Sequence, residues 1–126
     1  MANSILDLVA AAKAAVPGIG FEEAAALLGR DDVLFVDVRD DNEVAGSGRV
    51  ASALHASRGM IEFRADPASP YHDEAFAKDK TIVLYCASGG RSALAAKALQ
   101  DLGYADVRNL GAFNDWAEAG GQVEPA

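Results

Sequence analysis

Apolar positions along this chain change period several times, from helical to strand-like and back. Between Ser4 and Ala15, Ile5, Leu8, Val9 and Ala12 recur at helical spacing and give that segment one apolar face. Ser4 or Asn3 is placed to cap it, and Pro17-Gly18 ends it. Ile19–Phe21 reads as a short strand. Glu22–Leu28 follows as a helix, with acids in its first turn and Gly29 as its stop. Val33-Leu34-Phe35-Val36 is apolar on both faces, the pattern of a buried strand, and Asp37 closes it. Asp40–Ala45 predicts a single helical turn, broken by Gly46-Ser47-Gly48.

The second half repeats the alternation. Ala53–His55 is a weak strand and Gly59–Phe63 a helical stretch. Asp66-Pro67-Ala68-Ser69-Pro70 is a loop, and Glu74–Ala77 predicts a short helix. Thr81-Ile82-Val83-Leu84-Tyr85 is a β-branched, buried strand. A long helix runs from Gly90 or Arg91 to Leu102, with Gly103 as its cap. Asp106–Leu110 is a last strand and Ala112–Ala119 a last helix, after which Gly120-Gly121 releases a short tail. Strands alternating with helices predict an α/β domain: a central parallel sheet of about five strands, flanked by helices on both faces. Residues 1–126 read as one domain, of which 1–18 form an N-terminal helical extension.

Composition narrows the function. Eleven basic against nineteen acidic side chains leave a formal net charge of -8, which argues against nucleic acid and anionic membranes as partners. No run approaches the roughly 18 apolar residues that span a bilayer. Asp7 interrupts the N-terminal apolar stretch and no basic residue precedes it, so no export signal is expected. The expected location is cytoplasmic, where a lone cysteine stays reduced. One cysteine and two separated histidines show no metal-ligand spacing, so no metal is expected.

That cysteine, Cys86, ends the central strand and opens a loop of small residues, Ala87-Ser88-Gly89-Gly90, ahead of the long helix. Ligands of open α/β sheets bind beyond the carboxyl ends of the strands. There the sulfur faces backbone N–H groups and a helix N-terminus, both of which favour negative charge. Its pKa is expected to fall, making it a nucleophile at neutral pH. Arg91 adds a cation where a helix dipole alone disfavours one, so an anion beside it is expected. A cysteine hydrolase would need His55 or His72 beside Cys86 as base. Cysteine phosphatases place five residues between cysteine and arginine; here only four separate Cys86 from Arg91. The smaller ring leaves less room for phosphate and better fits a sulfur that carries one further sulfur atom.

Cys86-Ala87-Ser88-Gly89-Gly90-Arg91-Ser92 resembles the active loop of single-domain rhodaneses, the rhodanese-like sulfurtransferases. Val36-Asp37-Val38-Arg39 followed by Glu43 resembles that family's Asp-Val-Arg segment, and Gly111-Ala112-Phe113 with Trp116 its C-terminal Gly-Gly-Phe…Trp pattern. Arg58 to Phe63, with Asp66 to His72, is similar to a bacterial subgroup with a long insertion before the catalytic strand. The resemblance covers roughly Ile19 to Val123. Arg49 and Ser52 depart from it, standing where the family often has histidine and glycine, and Ser57 stands where proline is common.

The resemblance implies a sulfurtransferase. Cys86 would take the sulfane sulfur of thiosulfate or a persulfide donor and pass it, as a Cys86 persulfide, to a thiophilic acceptor: a thiol, cyanide, or a partner sulfur-carrier protein. Ala87, Ser88, Gly89, Gly90 and Arg91 would bind the anionic donor, with Asp37, Arg39, Ser92 and Arg58 in support. No cofactor is implied, since the sulfur is both nucleophile and carrier. The alternatives are a cysteine-dependent phosphatase or arsenate reductase, and a non-enzymatic persulfide relay or binding module.

Overall fold

The computed structural model describes residues 4–126. Its strands are β1 (Val33–Asp37), β2 (Arg49–Val50), β3 (Leu54–His55), β4 (Thr81–Cys86), β5 (Asp106–Ala112) and β6 (Val123–Glu124). Among the described residues, four of them make one parallel sheet in the order β3-β1-β4-β5, while β2 and β6 pair antiparallel beside it. The helices are α1 (Ile5–Ala15), α2 (Phe21–Leu27), α3 (Asp41–Ser47), α4 (Ile61–Ala65), α5 (Gly90–Asp101) and α6 (Phe113–Glu118), with a 3-10 turn at Arg58–Met60. The fold is α/β, a parallel sheet with helices on both faces.

β4 lies inside the sheet, and the strand period of two sorts its side chains. Ile82, Leu84 and Cys86 point to the face covered by α4 and α5, where Ile61, Ala65, Ala95, Ala96 and Leu99 are buried. Val83 and Tyr85 point to the other face, against Ala24 of α2 and Phe113 and Trp116 of α6. α1 lies along α5, held there in part by Gln100 Nε2 donating to the Ala15 carbonyl at 3.0 Å.

Some elements differ from the sequence reading. Ile19–Phe21 is no strand: Gly18 makes a single parallel bridge to Asn109 and α2 starts at Phe21, so the parallel sheet has four strands rather than about five. Glu74–Ala77 is not a helix, because the Asp73 carboxylate accepts from the Ala75 N–H (2.9 Å) and its carbonyl from Phe76 N–H (3.0 Å), closing local turns instead. The tail after Gly121 is ordered as β6. Trp116 Nε1–H donates to the Gln122 carbonyl at 3.0 Å, and Gly121 passes so near the indole that a Cβ there would meet it at 2.2 Å. Ser4 caps α1 by accepting from the Asp7 N–H; the alternative cap, Asn3, lies outside the described residues. Ser52, at the position where glycine is frequent, holds a left-handed φ of 65° and donates its N–H to Glu124 Oε1. Among the described residues no helix is long and apolar enough to cross a membrane.

Asp37 and Arg39 tie the carboxyl end of β1 to the end of α3. They are 0% and 4% exposed and pair at 2.7 Å. Arg39 also donates to Ser47 Oγ (2.8 Å) and the Gly48 carbonyl (2.7 Å), and its guanidinium lies 4.4 Å over the Phe113 ring. Burial works against the Arg39 charge, but the Asp37 carboxylate outweighs it and raises the pKa. Removing one partner of such a pair leaves the other buried and uncompensated. Asp37→Ala is expected to cost roughly 3–5 kcal/mol of unfolding free energy in urea denaturation. Arg30→Ala, which breaks an exposed pair with Asp32, should cost about 1 kcal/mol or less. Equal losses for the two variants would contradict this account of Asp37.

Candidate active site

Cys86 is the last residue of β4 and is 0% exposed. The chain then turns over it. Ala87 and Ser88 form the exposed arc of the loop, and Gly89 returns the backbone to α5 with φ +96°, a left-handed conformation that glycine adopts without strain. The turn brings the Gly89 N–H to 3.0 Å from Sγ, and the Ser88 and Ser92 N–H groups also favour the sulfur's anion. Ser92 Oγ stands 3.4 Å from Sγ. Burial pushes the thiol pKa up, but the Ser92 hydroxyl and these three N–H groups together bring it below the ordinary value.

Ser92 is itself held. Its Oγ–H donates at 2.7 Å to Asn109 Oδ1, which also accepts from Gly111 N–H, while Asn109 Nδ2 donates to the Gly89 carbonyl at 3.2 Å. A hydroxyl has one proton and two lone pairs. With a thiol, S–H donates to Oγ and Oγ–H to Asn109; with a thiolate, the hydroxyl turns to the sulfur. Asn109 reaches this place because it pairs in register with Leu84, on the α5 face, and a bulge after it brings Gly111 beside Tyr85. Sequence reasoning missed Asn109, since nothing local marks a strand asparagine 17 residues beyond Ser92 as its partner.

The anion beside Arg91 is Glu43. Its two carboxylate oxygens accept from Arg91 at 2.7 and 2.8 Å, across 48 residues of sequence, and Oε2 also accepts from the Asp40 N–H that opens α3. The Arg91 hydrogen bonds, then the Asp40 N–H, pull the Glu43 pKa from 4.5 down to about 2, and Glu43 raises that of Arg91. Arg58 pairs with Glu62 at 2.7 Å and lines a groove of about 380 Å³ between α1 and α5. Asp37 and Arg39 lie one strand over, under α3. Neither histidine serves Cys86. His55, on edge strand β3, contacts the Arg39 carbonyl at 2.6 Å and sits beyond β1, and the His72 N–H closes a turn onto Ser69. Among the described residues no group of His, Cys, Asp and Glu is arranged to hold a metal.

Two expectations follow. The pH midpoint for alkylation of Cys86 by iodoacetamide should lie below that of an ordinary cysteine, and Ser92→Ala should move it upward; a downward shift would remove the hydroxyl from the account. For Glu43, the folded pKa is the depressed one. Its stabilisation is therefore present above the unfolded value of 4.5 and is lost as pH falls toward about 2. Glu43→Gln should be less stable than wild type near neutrality, and the gap should close between those two values in denaturation series. A gap that stays constant would contradict the pairing.

The Rhodanese-like domain family model matches residues 21–119. A sulfurtransferase of Allochromatium vinosum is 36% identical over 91 residues, covering 71% of this chain and 77% of that protein. A thiosulfate:glutathione sulfurtransferase of Saccharomyces cerevisiae is 30% identical over 117 residues, covering 84% and 81%. Among solved structures, a Rhodopseudomonas palustris protein of unknown function, described as a possible tyrosine phosphatase, superposes with a TM-score of 0.89 at 38% identity, over 98% of this chain and 96% of that one. With a strand-end cysteine in a loop of converging N–H groups, and a family match across most of its length, this chain belongs to the rhodanese-like domain family.

Proposed function

We propose that this protein is a sulfurtransferase that carries sulfane sulfur as a Cys86 persulfide. The observation that supports it most is the sulfur itself: buried, free, and surrounded by N–H donors that favour its anion. The Cys86 thiolate attacks the outer sulfur of thiosulfate. The S–S bond to the sulfonate breaks, sulfite leaves with the electron pair, and Cys86 holds a persulfide anion. An acceptor thiolate then attacks the terminal sulfur, leaves as a new persulfide, and returns the Cys86 thiolate; cyanide in its place leaves as thiocyanate. Total charge is conserved in each step, and no cofactor enters. The loop from Ala87 to Arg91 stabilises the anions. Glu43 occupies two of the five N–H donors of the Arg91 guanidinium and orients the rest. The named substrates of the yeast relative fit this reading, with thiosulfate as donor and a thiol as acceptor.

The possible-phosphatase description of the Rhodopseudomonas neighbour makes phosphoryl transfer the second reading. The four-residue gap between Cys86 and Arg91 argues against it, because a smaller ring presents fewer N–H groups to a tetrahedral oxyanion. A further alternative is a relay that accepts persulfide only from another protein. Intact-mass spectrometry after thiosulfate separates these readings. Wild type should gain one sulfur atom, Cys86→Ser none, and cyanide should remove it as thiocyanate. Aryl phosphate hydrolysis should be negligible. Sulfur uptake by Cys86→Ser would overturn the assignment. Cys86-dependent aryl phosphate turnover would promote the phosphatase, and uptake from a protein persulfide but not from thiosulfate would promote the relay.

A further inference from the structure

Glu43 neutralises the one arginine of the loop, so that ion pair brings little net charge to an arriving anion. Yet the proposed donor is a dianion, and the protein around it carries a net charge of -8. A second cation reaches the loop from α1. A Cβ added at Gly89 would stand 4.0 Å from Lys13 Nζ, and 3.5 Å from Gly111 Cα of β5. A Cβ at Gly90 would stand 3.7 Å from Val9 Cγ2, one helical turn before Lys13. The last turns of α1 therefore lie on the loop, on its β5 side, while the Arg91–Glu43 pair lies on the β1 side. Lys13 is exposed, and among the described residues it has no ion-pair partner.

We infer that Lys13 is the specificity-determining cation of this site, drawing small anionic sulfur donors to Cys86 in preference to neutral ones. The inference rests on the sulfur-transfer reading for its substrate class, though not for its electrostatics. Lys13 falls outside the 21–119 family match, so this chain supplies the charge from its own N-terminal helix. A bland role is also available to it, since a cation in the last turn of a helix complements the dipole. The two roles differ in what they predict at the sulfur.

Iodoacetate and iodoacetamide alkylate a thiolate by the same displacement and differ by one negative charge. In Lys13→Ala the ratio of their rates at Cys86 should fall about threefold at low ionic strength, as for one solvent-screened charge pair, and the difference should vanish near 1 M salt. Lys13→Arg should keep the wild-type ratio. In sulfur transfer, Lys13→Ala should raise KM for thiosulfate more than for the singly charged benzenethiosulfonate, with kcat little changed. An unchanged rate ratio, an equal fall for both reagents, or a Cys86 closed to both reagents in the wild type would each overturn the inference. If the ratio falls as expected but wild type takes no sulfur from thiosulfate, the sulfur-transfer reading fails and the charge at Lys13 stands.

Discussion

A thiolate inside a protein exists only where hydrogen bonds replace the water it has lost. Cys86 sits at the carboxyl end of an interior strand with no exposed surface, and burial by itself favours the neutral thiol. The loop reverses that balance. Three backbone N–H groups and one hydroxyl converge on the sulfur, and they do so only because Gly89 holds a positive φ and α5 starts directly after it. Much of the surrounding structure can be understood as what keeps that short arc of backbone curled.

The support comes from both neighbouring strands. On the β5 side, Asn109 binds the Gly89 carbonyl and the Ser92 hydroxyl at once, so the end of the loop and the first turn of α5 share one partner. On the β1 side, Glu43 caps α3 through the Asp40 N–H and grips Arg91 with both oxygens. α3 in turn is held from below by Arg39, whose guanidinium reaches Ser47 and the Gly48 carbonyl while paired with Asp37. Loop, helix and strand ends form one connected polar network over an apolar sheet. Such networks rigidify a site when every member is satisfied.

This arrangement also divides labour among the charges. Arg91 and Glu43 make a closed pair whose geometry is bidentate and whose net charge is small. A closed pair orients; it does little to attract. Attraction of an anion falls to a cation without a carboxylate, and α1 carries Lys13 to the opposite flank of the loop. A loop framework matching residues 21–119 can thus acquire its charge selectivity from a helix that precedes it.

Local chemistry made the strand, the thiol, the glycine turn and the helix readable as a string, because all four lie within one continuous segment, Thr81 to Leu102. The same holds for the alternation that implies a parallel α/β sheet. The dipole argument at Arg91 pointed to an arriving anionic donor, and composition and spacing could not say that a carboxylate 48 residues earlier pairs with that arginine. Asn109 and Lys13 were invisible for the same reason: their roles follow from strand register and helix packing, which bring distant residues within hydrogen-bond or charge range. Short elements fared worst. Two residues at Val123–Glu124 become a strand only because Arg49–Val50 is there to pair with them, and Glu74–Ala77 loses its helix to the side chain of Asp73. Sequence by itself determined where the lone thiol stands and which backbone cradles it, since both depend on near neighbours in the chain; which charges surround that sulfur was decided only by the tertiary fold, because electrostatic partners are chosen by distance in space.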